Sequence, residues 1–163
     1  MPIQTIYLDS ATAASPDQEG KLVPVTRFRL FSWGANETSQ GTVHVDEKLA
    51  EKVMDRYEKR TRGRKGVLDI DWFHLSRKPD ARREDRLSAG RCKLELVPGE
   101  GGGIDVVDIR PTAEAREALE ADKVRSYSPV IGVNAKGHLL EVVQLSLTNI
   151  PAMDDAGLLA AED

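Results

Sequence analysis

Two side chains in this sequence are of the types that acyl transfer requires. Ser128 stands between an aromatic residue and a proline in Tyr127-Ser128-Pro129, and His74 closes the run Ile70-Asp71-Trp72-Phe73-His74. A serine hydroxyl is a poor nucleophile until a neighbouring imidazole takes its proton. Burial would hold such an imidazole near neutrality, as a general base requires. Sequence spacing alone does not bring the two together. A lone histidine in phase with an apolar strand face also reads as a core or strand-end residue satisfied by one hydrogen bond. Two other candidates fail on inspection. Cys92 falls in phase with Leu94 and Leu96, which puts it in the core. The glycines at 99 and 101 to 103 are followed by no Lys-Ser/Thr pair, and a strand comes next instead of a helix, so they are no phosphate loop.

The totals narrow the class. The chain has 163 residues, 40% hydrophobic and 31% charged, which is one ordinary domain with a real core. Aromatic residues make up only 5%, so Val, Leu, Ile and Ala must fill that core. A net charge of -4 argues against a protein that coats nucleic acid over its whole surface. No apolar run is long enough to span a membrane as a helix, and the N-terminal residues do not read as a signal peptide. One cysteine excludes an intramolecular disulfide and makes a cysteine-based metal site a poor expectation; a reducing, intracellular setting fits. No cofactor or metal is expected.

The elements that must position Ser128 and His74 follow from periodicity. Residues 9–23 are small, polar and unpatterned and read as a flexible loop. Val25 to Phe31 alternates as a strand. Asp46 to Arg60 is a helix: Asp46 caps it, and Leu49, Ala50, Val53, Met54 and Tyr57 form one stripe. Just beyond it, Lys59, Arg60, Arg62, Arg64 and Lys65 crowd five positive charges, read as a solvated helix end with a nucleic-acid contact as the alternative. Val67 to His74 alternates, with Leu68, Ile70 and Trp72 on one face. Residues 75–88 have no apolar period and form a surface loop, either a substrate lid or a disordered insertion. Arg91 to Val97 and Ile104 to Ile109 make a hairpin, and Thr112 caps a short helix over Ala113 to Asp122. Pro129 cannot donate to a ladder, so the Ser128 strand is expected at an edge or a bulge, where a nucleophile can meet a peptide. His138 to Leu147 is a further strand, and the acidic tail 154–163 reads as a frayed end or short helix.

In order, the chain shows Ile70-Asp71-Trp72-Phe73-His74-Leu75-Ser76, then Ser88-Ala89-Gly90-Arg91, then the run from Val106 to Ala115. Val124 to Val130 follows, and Leu145-Ser146-Leu147-Thr148-Asn149-Ile150-Pro151-Ala152-Met153 comes last. This succession resembles the capsid maturation (prohead) proteases of tailed phages, most closely the Mu protein I type, over about residues 25 to 153. The resemblance implies a mainly β fold with flanking helices (α+β), an antiparallel β-barrel similar to the herpesvirus assemblin proteases. It implies one protease domain over residues 1–153, with the tail at 154–163 as a remnant of a linker to a scaffold segment. By position, Ser128 becomes the nucleophile and His74 the base. The third member stays open: Asp71, Glu141 and His138 are available, and a relative's acid appears here as Gln144. Asp71 is an odd number of residues from His74, so a regular strand would point the two apart. The oxyanion donor is open between a backbone amide and Arg125. The implied activity is a serine endopeptidase that digests scaffold protein, trims capsid protein and cleaves itself inside the immature shell in the host cytoplasm. The implied partners are the scaffold and major capsid proteins, with homo-oligomers allowed and membrane and nucleic acid not expected. The alternative is a non-catalytic scaffold or assembly module with the same barrel.

Overall fold

The computed structural model describes residues 4–7, 11–38, 40–82 and 87–149. Twelve strands and two α-helices are defined there. The first strands are β1 (Gln4–Tyr7), β2 (Ala11–Thr12), β3 (Ala14–Pro16), β4 (Leu22–Pro24), β5 (Phe28–Ser32), β6 (Gly34–Thr38) and β7 (Gly41–Val45). Helix α1 (Glu47–Arg60) and β8 (Leu68–Trp72) come next, then the long strands β9 (Ser88–Val97) and β10 (Gly103–Pro111). Helix α2 (Ala113–Glu120), β11 (Ser126–Val133) and β12 (Leu139–Thr148) complete the order.

One eight-stranded sheet holds the molecule together in the order β1-β11-β12-β8-β9-β10-β5, with β2 also paired to β11. The fold is mainly β with two helices, as expected. The expected closed antiparallel barrel is not: the sheet is a curled half-barrel, open between its two margins and mixed in direction. β12 and β8 run parallel, whereas the other pairs are antiparallel. The curl comes from register breaks at Ile104/Asp105, Val107/Arg110, Val130/Ile131, Gly132/Val133 and Ile70/Asp71, each of which bends and twists its strand. Closure would need β1 and β5 to pair, and they do not.

Both helices pack against the strands, α1 mainly on β12 and β9 and α2 mainly on β4. Asp46 caps α1 by accepting the Leu49 N–H at 2.7 Å, and Ala50, Val53 and Tyr57 are its buried stripe. That stripe packs on β12 and β9. Tyr57 donates from its hydroxyl to the Gly66 carbonyl and accepts the Leu94 N–H at 3.2 Å, which ties α1 to β9. Thr112 caps α2 through the Ala115 N–H at 3.2 Å, and Leu119 is fully buried beneath it. Burial of apolar area contributes about 25 cal/mol per Å², so this aliphatic core supplies most of the driving force. Cys92 sits in it as expected; burial pushes its thiol up to about 12, which removes it as a nucleophile.

Two expectations need correction. The stretch read as a loop at 9–23 contains β2, β3 and the start of β4, because Asp17 builds a tight turn by accepting the Glu19 and Lys21 N–H groups. Ala13 and Ala14 are buried there, so small size signals close packing and not looseness. Its first two residues, and the tail at 154–163, lie outside the described residues. The Ser128 strand β11 is not an edge; of the two expected alternatives it shows the bulge, with register breaks against β12 at Val130/Ile131 and Gly132/Val133. β1 pairs with it from Val130 to Val133 and β2 at Ser126 and Tyr127, on the side away from β12. Ser128 and Pro129 fall between those two pairings, so the missing proline N–H is tolerated inside the sheet.

Candidate active site

Three adjacent strands set one row of polar side chains across an apolar sheet. Asp71 on β8 is registered with Ser146 on β12, and Ser146 with Ser128 on β11. All three are buried: Asp71 is 3%, Ser146 0% and Ser128 1% exposed. Buried polar groups must be hydrogen-bonded to one another or be very costly. Here Ser146 bonds Asp71 directly, and His74 links Ser146 to Ser128.

His74 reaches the row because β8 stops at Trp72. Phe73 and His74 both take the left-handed region, with φ 53° and 58°. Two non-glycine residues held there cost on the order of 1–3 kcal/mol each. The Phe73 N–H, bonded to the Leu147 carbonyl at 3.0 Å, holds the turn against β12. The chain therefore doubles back, and the alternation that would have pointed His74 away from Asp71 does not apply. The imidazole Nε2 lies 3.0 Å from Ser128 Oγ, and Nδ1 lies 2.8 Å from Ser146 Oγ. Ser146 Oγ in turn donates to Asp71 Oδ1.

The proton order follows from the acceptors. A carboxylate only accepts, so the Ser146 hydroxyl gives its one proton to Asp71. Ser146 must then accept from Nδ1–H, which leaves the Nε2 lone pair facing the Ser128 hydroxyl. That is the tautomer a general base needs. Asp71 is further fixed by the Ser76 N–H at 3.1 Å and hydroxyl at 2.5 Å, and Gln144 Nε2 donates to Ser76 Oγ at 3.1 Å.

Of the candidates for the third position, Asp71 joins His74 only through Ser146. Glu141 is elsewhere: it pairs with Arg60 at 2.7 Å, five residues before Ser146 on β12. His138 packs edge-on against His44, with ring centroids 5.8 Å apart, before β12 begins. Arg125 is held by Asp122 at 3.0 Å. The sequence reading missed Ser146 and Ser76. A serine inside the apolar run from Leu139 to Leu147 was the available signal, because a buried hydroxyl needs a partner.

Burial is the main reason the His74 pKa is lowered to about 4; Asp71 opposes the shift and Arg77 adds to it. The base is thus neutral through the whole range above that value. We expect the acid limb of kcat/KM against pH to fall near pH 4, not near the ordinary histidine value of 6.5. Arg77→Gln, by removing a cation that disfavours imidazolium, should move that limb upward. A stopped assay from about pH 3.5 to about pH 8 reads both. Stability has the same sign: below about 6.5 the unfolded histidine binds a proton that the folded one refuses, so stability declines as pH falls from there towards 4.

Fold and site together define a β-rich domain with a serine–histidine pair, oriented by a buried carboxylate through a second serine. Residues 28–160 match the family model described as Mu-like prophage I protein, N-terminal domain, and the chain belongs to that family. No curated protein and no solved structure matches it.

Proposed function

We propose that this chain is a serine endopeptidase that degrades scaffold protein and trims capsid protein during phage procapsid maturation, and that it also cleaves itself. One observation carries the reading: the 3.0 Å approach of His74 Nε2 to Ser128 Oγ, with the ring proton ordered by Ser146 and Asp71. Ser128 Oγ attacks the scissile carbonyl carbon while its proton passes to Nε2. The imidazolium then gives that proton to the leaving amine, and water hydrolyses the acyl-enzyme by the same route. Membership of a phage protein family supports the setting, a maturing shell in the host cytoplasm. The resemblance to herpesvirus assemblin proteases belongs to this same reading.

A second reading is a non-catalytic assembly module, and one observation favours it. Ser128 is only 1% exposed, so a polypeptide reaches it only if the site opens. Covalent labelling separates the two. The chain, alone and co-assembled with scaffold and capsid protein, is treated with a fluorophosphonate and digested for mass spectrometry. An adduct on Ser128 that His74→Ala abolishes supports the hydrolase. Scaffold that is still cut while Ser128 stays unlabelled in both settings rejects it.

A further inference from the structure

The basic cluster at the end of α1 is larger in space than in sequence. A cleft of about 510 Å³ is lined by Arg60, Arg64 and Arg77. A second, of about 370 Å³, shares Arg64 and Val67 with the first and adds Lys65, Arg91, Lys93 and Arg110. The 3₁₀ turn Arg62–Arg64, the turn after His74 and the paired strands β9 and β10 thus bring seven cations together. Among the described residues, Asp69 and Asp108 are the only acids on the two linings, in a chain whose net charge is -4. Lys65, Arg77, Arg91 and Lys93 make no ion pair among the described residues. Like charges gathered this way repel one another and lower stability unless a counter-charge arrives.

We propose that the joined clefts are a docking surface for an acidic segment of a polypeptide. Three features favour carboxylates over a nucleic-acid backbone. Among the described residues neither lining contains an aromatic ring on which a base could stack. Arg64 and Arg110 already hold carboxylates in pairing geometry, Asp69 at 2.5 Å and Asp108 at 2.9 Å, so the same guanidinium forks fit the carboxylates of an incoming peptide. The surface is also concave and broken into two clefts, each able to seat a few side chains. The first cleft reaches Ser76, whose hydroxyl holds Asp71, so a segment seated there lies beside the catalytic row. The proposal does not rest on the hydrolase reading.

The test uses the full chain with Ser128→Ala, so that no turnover can obscure binding. A fluorescein-labelled oligo-glutamate peptide is titrated by anisotropy at several salt concentrations. Binding is expected, weakening as salt rises. Arg77→Glu with Arg91→Glu, one change in each cleft, is expected to weaken it about tenfold or more. Lys136→Glu, on a distant turn, is expected to leave it unchanged. Lys65→Glu with Lys93→Glu repeats the test if the first pair fails to fold, as judged by its thermal midpoint. Absence of binding, or binding indifferent to both charge reversals, overturns the proposal. Tighter binding of a single-stranded DNA of equal length also overturns it and assigns the surface to nucleic acid. None of these outcomes bears on Ser128, so the labelling experiment stands or falls separately.

Discussion

Ser128→Ala is expected to abolish scaffold processing, and Asp71→Asn to lower it by about 10³ to 10⁴-fold with the fold intact. The first result follows from loss of the attacking oxygen. The second is the sharper test, because Asp71 touches neither substrate nor His74. An asparagine at 71 has the same shape but can present an N–H to Ser146. The Ser146 hydroxyl then turns to donate to Nδ1, and the ring proton must sit on Nε2. The nitrogen that should accept from Ser128 becomes a donor, and the base is lost without any movement of heavy atoms. Ser146→Ala removes the same coupling by deleting the intermediary, and leaves Asp71 short of one hydrogen bond. Co-expression with the cognate scaffold, read as the fraction of cut product over time, measures all three. Undiminished processing by Asp71→Asn would show that the serine bridge does not orient the imidazole.

Gly90→Ala unfolds the protein at a markedly lower temperature. Gly90 is held at φ 154°, and a Cβ there would lie 2.6 Å from the Arg110 carbonyl oxygen and 2.9 Å from Pro111 Cα. Both neighbours are backbone in the partner strand β10, so neither can step aside without breaking the β9–β10 pairing. Overpacking of this kind costs typically about 1–3 kcal/mol, and the strained φ adds to it. A midpoint drop of roughly 6–12 °C follows from about 3 kcal/mol at this chain length. Calorimetry of Ser128→Ala with and without the change reads it free of self-cleavage. An unchanged midpoint would mean that β10 is not seated as tightly as described. The site suffers too, since Gly90 is registered with Ile70, next to Asp71.

Local chemistry made much of this readable in advance. Asp46 and Thr112 cap their helices as expected, because a cap depends on four consecutive residues and little else. Leu94 and Cys92 point inward as alternation required, although Leu96 is only partly buried. The pairing of Ser128 with His74 came from resemblance, since the turn at Phe73 that unites them has no periodic signature. Of the two alternatives that Pro129 left open, the bulge stands at Val130/Ile131 and the edge does not, because the coverage of β11 by β1 and β2 is decided by partners more than a hundred residues away. The basic cluster at the end of α1 is exposed, as expected, and Arg77, Arg91, Lys93 and Arg110 join it only in three dimensions. Ser146 escaped because its partners, Asp71 on β8 and His74 in the turn beyond it, belong to a segment that β12 meets in parallel.

That parallel insertion has a consequence for how the protein comes into being. β12 is the strand nearest the C-terminal end among those described, yet it lies between β11 and β8. Until the ribosome has released it, β11 with its N-terminal neighbours and the group from β8 to β5 share no ladder. A nascent chain consequently holds the Ser128 hydroxyl and the His74 imidazole in two unconnected halves, and the pair forms only after translation has run past residue 148.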